Sequence, residues 1–266
     1  MKPSPPVASG METPLYLPRS EFHGDTRLNK MHPLSWIPAE TKRLLDVGCN
    51  VGELLLECSK RFPDMELAGV DVNASAIECA QATLPTARIC RIEGDRLPFP
   101  DGAFDCITFI EVIEHIPAER RAATLKEVFR VLAPGGRLVL RCPHQGLSAW
   151  MDSNNIRFRL PHLYRLLVRR GLRDDGYAGG SADVVWHHHF TRNELLSLVP
   201  QPHSIEHTQY GGLFLFPLGD ILRWPFYRLK QQSNPMVRMI DRVMNWDIGI
   251  NYGAASFTIL VLIRKA

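Results

Sequence analysis

Apolar positions along this chain follow two periods, and the switches between them mark its elements. Leu44, Leu45 and Val47 form a short run broken by Asp46, then comes Gly48-Cys49-Asn50-Val51-Gly52, and apolar residues resume at Leu54–Leu56. The spacing predicts a buried strand Arg43–Val47, a glycine turn and a helix Gly52–Phe62. A second strand, Glu66–Val72, precedes a helix Ala74–Leu84 that Asn73 caps through its side chain. Strand Ala87–Glu93 ends at Gly94-Asp95, and strand Phe104–Ile110 follows the Asp101-Gly102 turn. In the predicted helix Ala118–Leu132, the residues Leu125, Val128, Phe129 and Leu132 share one face. Pro134-Gly135-Gly136 should stop that helix before strand Arg137–Cys142. Strand and helix alternating in this way give an α/β fold, a Rossmann-like doubly wound and mostly parallel sheet with the ligand at the strand C-terminal ends.

The remainder departs from that rhythm. Residues 1–40 are rich in proline with little periodicity and read as an arm; Phe22–Trp36 fits either a lid or a surface segment. An insertion of about 146–186 holds a basic helix Leu163–Arg170 and a glycine-rich loop Gly176–Gly180. Helix Thr191–Val199 and strand Ser204–Tyr210 restore the core, and a second insertion of about 211–251 precedes an apolar strand Ser256–Ile263. Residues 41–266 are expected to form one domain whose insertions make a cap. Pro217 and Pro225 should break any long helix in the second insertion.

The turn after the first strand reads as a cofactor loop. Gly48 and Gly52 allow a ligand to lie against the main chain, and the following helix aims its free N–H groups at it. The G-x-G-x-x-G spacing of a dinucleotide loop is missing, and Asp46 suits a cationic or hydroxyl-rich ligand better than a pyrophosphate. Asp71 ends the second strand, at about the distance where such folds place a ribose-binding carboxylate. With Gly94-Asp95-Arg96-Leu97 and Pro134-Gly135-Gly136, these blocks between Thr41 and Cys142 resemble a class I S-adenosylmethionine-dependent methyltransferase of the type 11 group. The resemblance implies a seven-stranded sheet with an antiparallel C-terminal hairpin strand. It implies S-adenosyl-L-methionine as cofactor, held by Asp46, Gly48, Cys49, Gly52, Asp71, Val72, Asp95, Arg96, Leu97 and Glu111. Asn50 stands where the family usually has glycine, and Asn tolerates the left-handed backbone that position needs.

Catalysis is expected past the fourth strand, in Glu111-Val112-Ile113-Glu114-His115. His115 is the candidate base for an acceptor hydroxyl, with Glu111 beside it; a loop hydrogen bond or a helix cap is the competing role. Of His187-His188-His189, one residue should enter the acceptor pocket, and His188 and His189 are taken as substrate-binding with Asp152 and Asn155. Asp152 and Asn155 suit the reading of sugar hydroxyls, or form an ordinary polar turn. Glu111, Glu114 and His115 with the later histidines also resemble the metal site of small-RNA 3′-end 2′-O-methyltransferases, but the later segment departs from that pattern and no metal is expected.

Composition narrows the partners. Lys plus Arg is 31 against 28 for Asp plus Glu, so nucleic acid is not expected. Six cysteines without a C-x-x-C pair fit reduced, buried thiols in a cytoplasmic protein. The N-terminus has no run of signal-peptide type. Gly212–Arg228 mixes large apolar groups with arginines, which suits a membrane-surface contact or a lipid-lined wall as well as an internal cap. The expected reaction is O-methylation of a sugar, glycolipid or secondary-metabolite hydroxyl. The alternatives are a quinone or lipid methyltransferase, the metal-dependent RNA-end enzyme, and a non-catalytic partner protein that binds the cofactor.

Overall fold

The computed structural model describes residues 29–94, 96–169, 186–228 and 234–266. The alternating part folds as β1 (Arg43–Val47), α1 (Glu53–Arg61), β2 (Glu66–Asp71), α2 (Ala74–Thr83), β3 (Arg88–Arg91), β4 (Phe104–Ile110), α3 (Ala118–Val131) and β5 (Leu132–Pro143). The seven strands lie in the order β3-β2-β1-β4-β5-β7-β6, where β6 is His203–Gly211 and β7 is Thr258–Lys265. All pairs from β3 to β5 are parallel, and β7 runs antiparallel to both β5 and β6. The hairpin strand therefore closes the sheet as expected.

Sequence neighbours divide between the two faces of this sheet. Leu45, Leu140 and Val261 enter one core, while Leu44, Val139 and Leu260 enter the other. That is the period-2 pattern of strands buried on both sides. Strand β5 begins earlier than the sequence suggested. Leu132 already pairs with Phe104, after which Ala133–Gly136 loops out of the ladder, with Gly135 at φ 73°, and regular pairing with β4 resumes at Arg137. The described end of the N-terminal arm packs into the domain: Met31 is fully buried, and Asn29 Nδ2 donates to Asn245 Oδ1 at 3.1 Å.

The two insertions meet on the strand C-terminal side. The first carries 3-10 turns at Ala149–Met151 and Ser153–Asn155, then α4 (Ile156–Arg159) and α5 (Pro161–Arg169). The Gly176–Gly180 loop lies outside the described residues. After α6 (Arg192–Ser197) and β6, the second insertion forms α7 (Leu215–Arg228) and α8 (Pro235–Ile248). The expectation that proline breaks this segment is corrected, since α7 runs through both Pro217 and Pro225. Pro217 sits in the first turn, where an N–H has no helical partner, so only Pro225 removes an internal bond. Arg223 pairs with Asp241 at 3.1 Å across α7 and α8 within the second insertion, and Ser153 Oγ donates to Asp220 Oδ2, joining the first insertion to it in one cap.

Candidate functional site

At the tip of β1 three residues in five adopt left-handed backbone: Gly48 at φ 81°, Asn50 at 48° and Gly52 at 82°. Only glycine serves at Gly48, since a Cβ there would lie 2.3 Å from Val112 Cγ2. Asp71, at the tip of β2, holds the loop closed. Its two carboxylate oxygens each accept a backbone N–H, from Asn50 and from Asn73, at 2.9 Å. Asp46 is buried and accepts a hydrogen bond from Thr108 Oγ1 at 2.7 Å. Burial outweighs that bond and pushes its carboxyl up to about 7. The Asn50 Oδ1 is buried with no hydrogen-bond partner, and Val72 is 47% exposed just beyond Asp71. Cys49 is a buried thiol pushed far above its ordinary value, first by burial and then by Asp46 and Asp71. Asp95 lies outside the described residues; Arg96 is exposed, and Leu97 is buried with its N–H on Glu127 Oε1 at 2.8 Å.

A second constellation sits past the tip of β4, under the cap. Glu111 adopts φ 54° and pairs with the buried Arg141 at 2.9 Å, while Arg141 also donates to the Met31 carbonyl at 3.0 Å. Glu114, in a 3-10 turn Ile113–His115, is fully buried, and neither of its oxygens receives a hydrogen bond. His187 Nε2 stands 3.6 Å from Glu114 Oε1 and His115 Nε2 stands 3.8 Å from it, ion-pair distances longer than a hydrogen bond. On the far side of the His187 ring, Nδ1 meets Asp152 Oδ2 at 2.5 Å, and the same oxygen meets His189 Nε2 at 2.8 Å. Asn155 clamps the His187 backbone, accepting its N–H at 2.9 Å and donating to its carbonyl at 2.7 Å. Burial alone would disfavour both charged forms. The contacts with His187 and His189 nevertheless hold the Asp152 carboxyl below the usual carboxylate range, and Asp152 and Glu114 raise His187.

The profile of the family described as "Methyltransferase domain" matches residues 45–140. A demethylmenaquinone methyltransferase of Thermus thermophilus is 39% identical over 103 residues, which is 37% of this chain and 46% of that protein. The ubiquinone/menaquinone biosynthesis C-methyltransferase UbiE of Dinoroseobacter shibae is 33% identical over 130 residues, 45% of this chain and 51% of that one. The chain thus spans about half the length of these curated relatives. A solved SAM-dependent methyltransferase from Methanosarcina mazei shares the fold, with a TM-score of 0.54 at 21% identity, over 88% of this chain and 96% of that one. Residues 45–140 are a methyltransferase domain of the type 11 group.

The cofactor of this methyltransferase domain is S-adenosyl-L-methionine, and the residues present fit it. The glycine-bearing loop leaves main chain bare, Asn50 carries an unmatched buried acceptor, and Val72 offers an apolar face beside the Asp71 carboxylate. Of the residues expected on the acceptor side, the structure gathers His115, Asp152, Asn155 and His189 around one point. His188 turns away to Glu194 Oε1 at 2.7 Å. The residue at the centre is His187, absent from the expected set, with Glu114 facing it. Nothing local in the sequence singles out His187; the fold turns His187 and His189 to Asp152 and His188 to Glu194. Not one but two of the run, His187 and His189, therefore face the cluster.

Proposed function

We propose that this chain is a SAM-dependent methyltransferase that O-methylates a hydroxyl on a lipid-borne acceptor, a glycolipid or a quinone precursor, taken from a membrane surface. One observation carries the choice of acceptor. Of sixteen large hydrophobic side chains exposed among the described residues, every one except Val72 lies in the two cap insertions. Leu215, Leu218 and Leu222 on α7, and Met236, Met239, Val243 and Trp246 on α8, recur at three- and four-residue steps and so make apolar stripes. Arg159, Arg165, Arg238 and Arg242 are exposed on the cap helices and suit anionic lipid headgroups. No helix among the described residues is long and apolar enough to cross a membrane, so the contact would be peripheral. Two curated relatives are named for quinone substrates, one of them as a C-methyltransferase, so they support the lipid character of the acceptor and not the atom methylated.

Bound at the β1 loop, the cofactor supplies an electrophilic methyl group. The chain's own work is then to position and to deprotonate. Gly48, Asn50 and Gly52 shape the cofactor's seat, Asp71 takes the ribose while bracing the loop, and Val72 covers the adenine. The cap seats the apolar body of the acceptor, so that its hydroxyl meets the Glu114–His115–His187 face. His115, the expected base, belongs to that face. Glu111 is tied to Arg141 and acts in positioning the turn.

The test is transfer of a radiolabelled methyl group from S-adenosylmethionine into fractionated bacterial membranes, with the soluble extract alongside. Label recovered in the organic phase supports the reading. Label only in water-soluble sugars sinks the lipid part and leaves the methyltransferase, whereas absence of cofactor binding by calorimetry would sink both.

A further inference from the structure

Two groups of metal-capable side chains share His187: Glu114, His115 and His187 on one side, and Asp152, His187 and His189 on the other. They differ in how fully they are satisfied. In the second group the Asp152 oxygen meets both imidazoles at hydrogen-bonding distance, 2.5 and 2.8 Å, and Asp152 Oδ1 accepts the Asn154 N–H at 2.8 Å. That carboxylate has its partners within the protein. In the first group Glu114 is fully buried, and both its oxygens lack any hydrogen bond. Arg121 attracts Glu114 electrostatically, but its Nε donates to the Ile116 carbonyl at 2.9 Å and its guanidinium lies over the Phe190 ring. A buried carboxylate without hydrogen bonds is costly unless something else meets its charge.

We infer that Glu114, His115 and His187 form a divalent transition-metal site. The separations of 3.6 and 3.8 Å between the Glu114 oxygen and the two Nε2 atoms are close to the roughly 3.4 Å between ligands of one tetrahedral ion. Two imidazoles and one carboxylate are the donors of an open catalytic zinc-type site, and they suit zinc, cobalt or iron better than magnesium. The Asp152–His187 contact then acquires a purpose. It fixes the Nδ1 proton on the outer side of the ring and turns Nε2 inward, the carboxylate–histidine–metal arrangement that strengthens a ligand. His115 is 28% exposed, so the fourth position opens toward the acceptor. This departs from the expectation of no metal, and Glu111, named in that comparison, is excluded as a ligand by Arg141. Resting on the function proposed above, and replacing the base role expected of His115, the ion would take the acceptor oxygen and lower its pKa; the O–H bond breaks with its proton passing to solvent water at the open side of the site.

The probes are Co²⁺ and Zn²⁺ themselves, added to full-length protein stripped with EDTA. Co²⁺ should bind at one equivalent per chain with visible absorption of low coordination number, and Zn²⁺ should displace it. Glu114→Gln and His115→Ala should each weaken binding at least 100-fold. Asp152→Asn should weaken it roughly 10- to 100-fold through lost orientation. His188→Ala, facing Glu194, should leave it unchanged. His115 is the partly exposed ligand, so His115→Ala keeps the test decisive if the buried Glu114→Gln fails to fold by circular dichroism. Absence of Co²⁺ binding to folded protein, or binding that survives His115→Ala unaltered, overturns the site. Calorimetry with S-adenosylmethionine on the same stripped protein separates the failures: retained cofactor binding without metal binding defeats this inference alone.

Discussion

The loop at the tip of β1 and the cluster beneath the cap hold their polar groups by opposite means. In the loop the backbone supplies the geometry: three left-handed residues and two N–H groups captured by Asp71. Its chemistry is therefore written in a few residues close in sequence. The cap cluster is built from side chains at 114, 115, 152, 187 and 189, which only the tertiary fold brings together. A shared cofactor requires the first kind of site. An acceptor that differs between enzymes suits the second, where one altered side chain redraws the pocket.

If that division holds, the largest effect comes from Gly48. Gly48→Val combines a β-branched residue at φ 81° with a clash against Val112. It should reduce cofactor affinity at least 1,000-fold, about 4 kcal/mol or more, while metal binding at the cap, disturbed only through Val112 at the start of the Ile113–His115 turn, falls by far less. Calorimetry and Co²⁺ absorption on one preparation measure both, and parallel loss of the two would show the regions to be one unit.

Asp46 sharpens the same contrast through pH. Its folded pKa of about 7 exceeds the ordinary 3.8, so the folded state holds a proton that the unfolded state has released. Stability is intact below about pH 4, falls as pH rises toward 7 by up to about 1.4 kcal/mol per pH unit, and is level above that. Asp46→Asn keeps an acceptor for Thr108 and should abolish this fall, melting higher than the parent at pH 8. Thermal melts from pH 4 to 8 check it; matching slopes in both proteins would show that Asp46 is ionised in the fold.

Asp71 comes next. Asp71→Ala should weaken the cofactor roughly 10- to 30-fold and also lower stability by about 1–2 kcal/mol, because two backbone N–H groups lose their acceptor. Loss of affinity with no loss of stability would leave Asp71 a cofactor contact and remove its bracing role.

The sequence made the first region legible and the second only in fragments, for physical reasons. Asn73 capping α2 and Asn50 in left-handed backbone are local features, while the antiparallel β6–β7 pair was implied by the family resemblance. Pro134-Gly135-Gly136 does break the ladder, as its turn chemistry implies, and only the pairing of Leu132 with Phe104 ahead of it was not legible. Pro225 misled because α7 and α8 bury each other's faces, Gly219 lying against Met244 and Ile240, which outweighs one lost helical bond. His187 was passed over for His188 and His189 since nothing local says which ring meets Asp152. Glu114 entered only through the resemblance to a metal site, and its full burial was not legible in the sequence.

The smallest expected effect concerns the stripe on α8, and it tests what the cap is for. Met236, Met239 and Trp246 are each more than half exposed, so the fold gains little from their apolar surface. Replacing Met239 and Trp246 by Gln should change stability by no more than about 0.5 kcal/mol per site. Cofactor affinity should not move, because the β1 loop lies on other elements. Partitioning onto vesicles containing anionic lipid should fall several-fold, since two membrane-facing apolar side chains, one of them the aromatic anchor Trp246, are lost. Co-sedimentation at two salt concentrations adds the arginine contribution, which screening weakens while the apolar part persists. If the double variant binds vesicles like the parent yet melts well below it, the stripe is internal packing for a partner segment of this chain. The cap would then owe its apolar surface to folding, and the case for a lipid-borne acceptor would go with it.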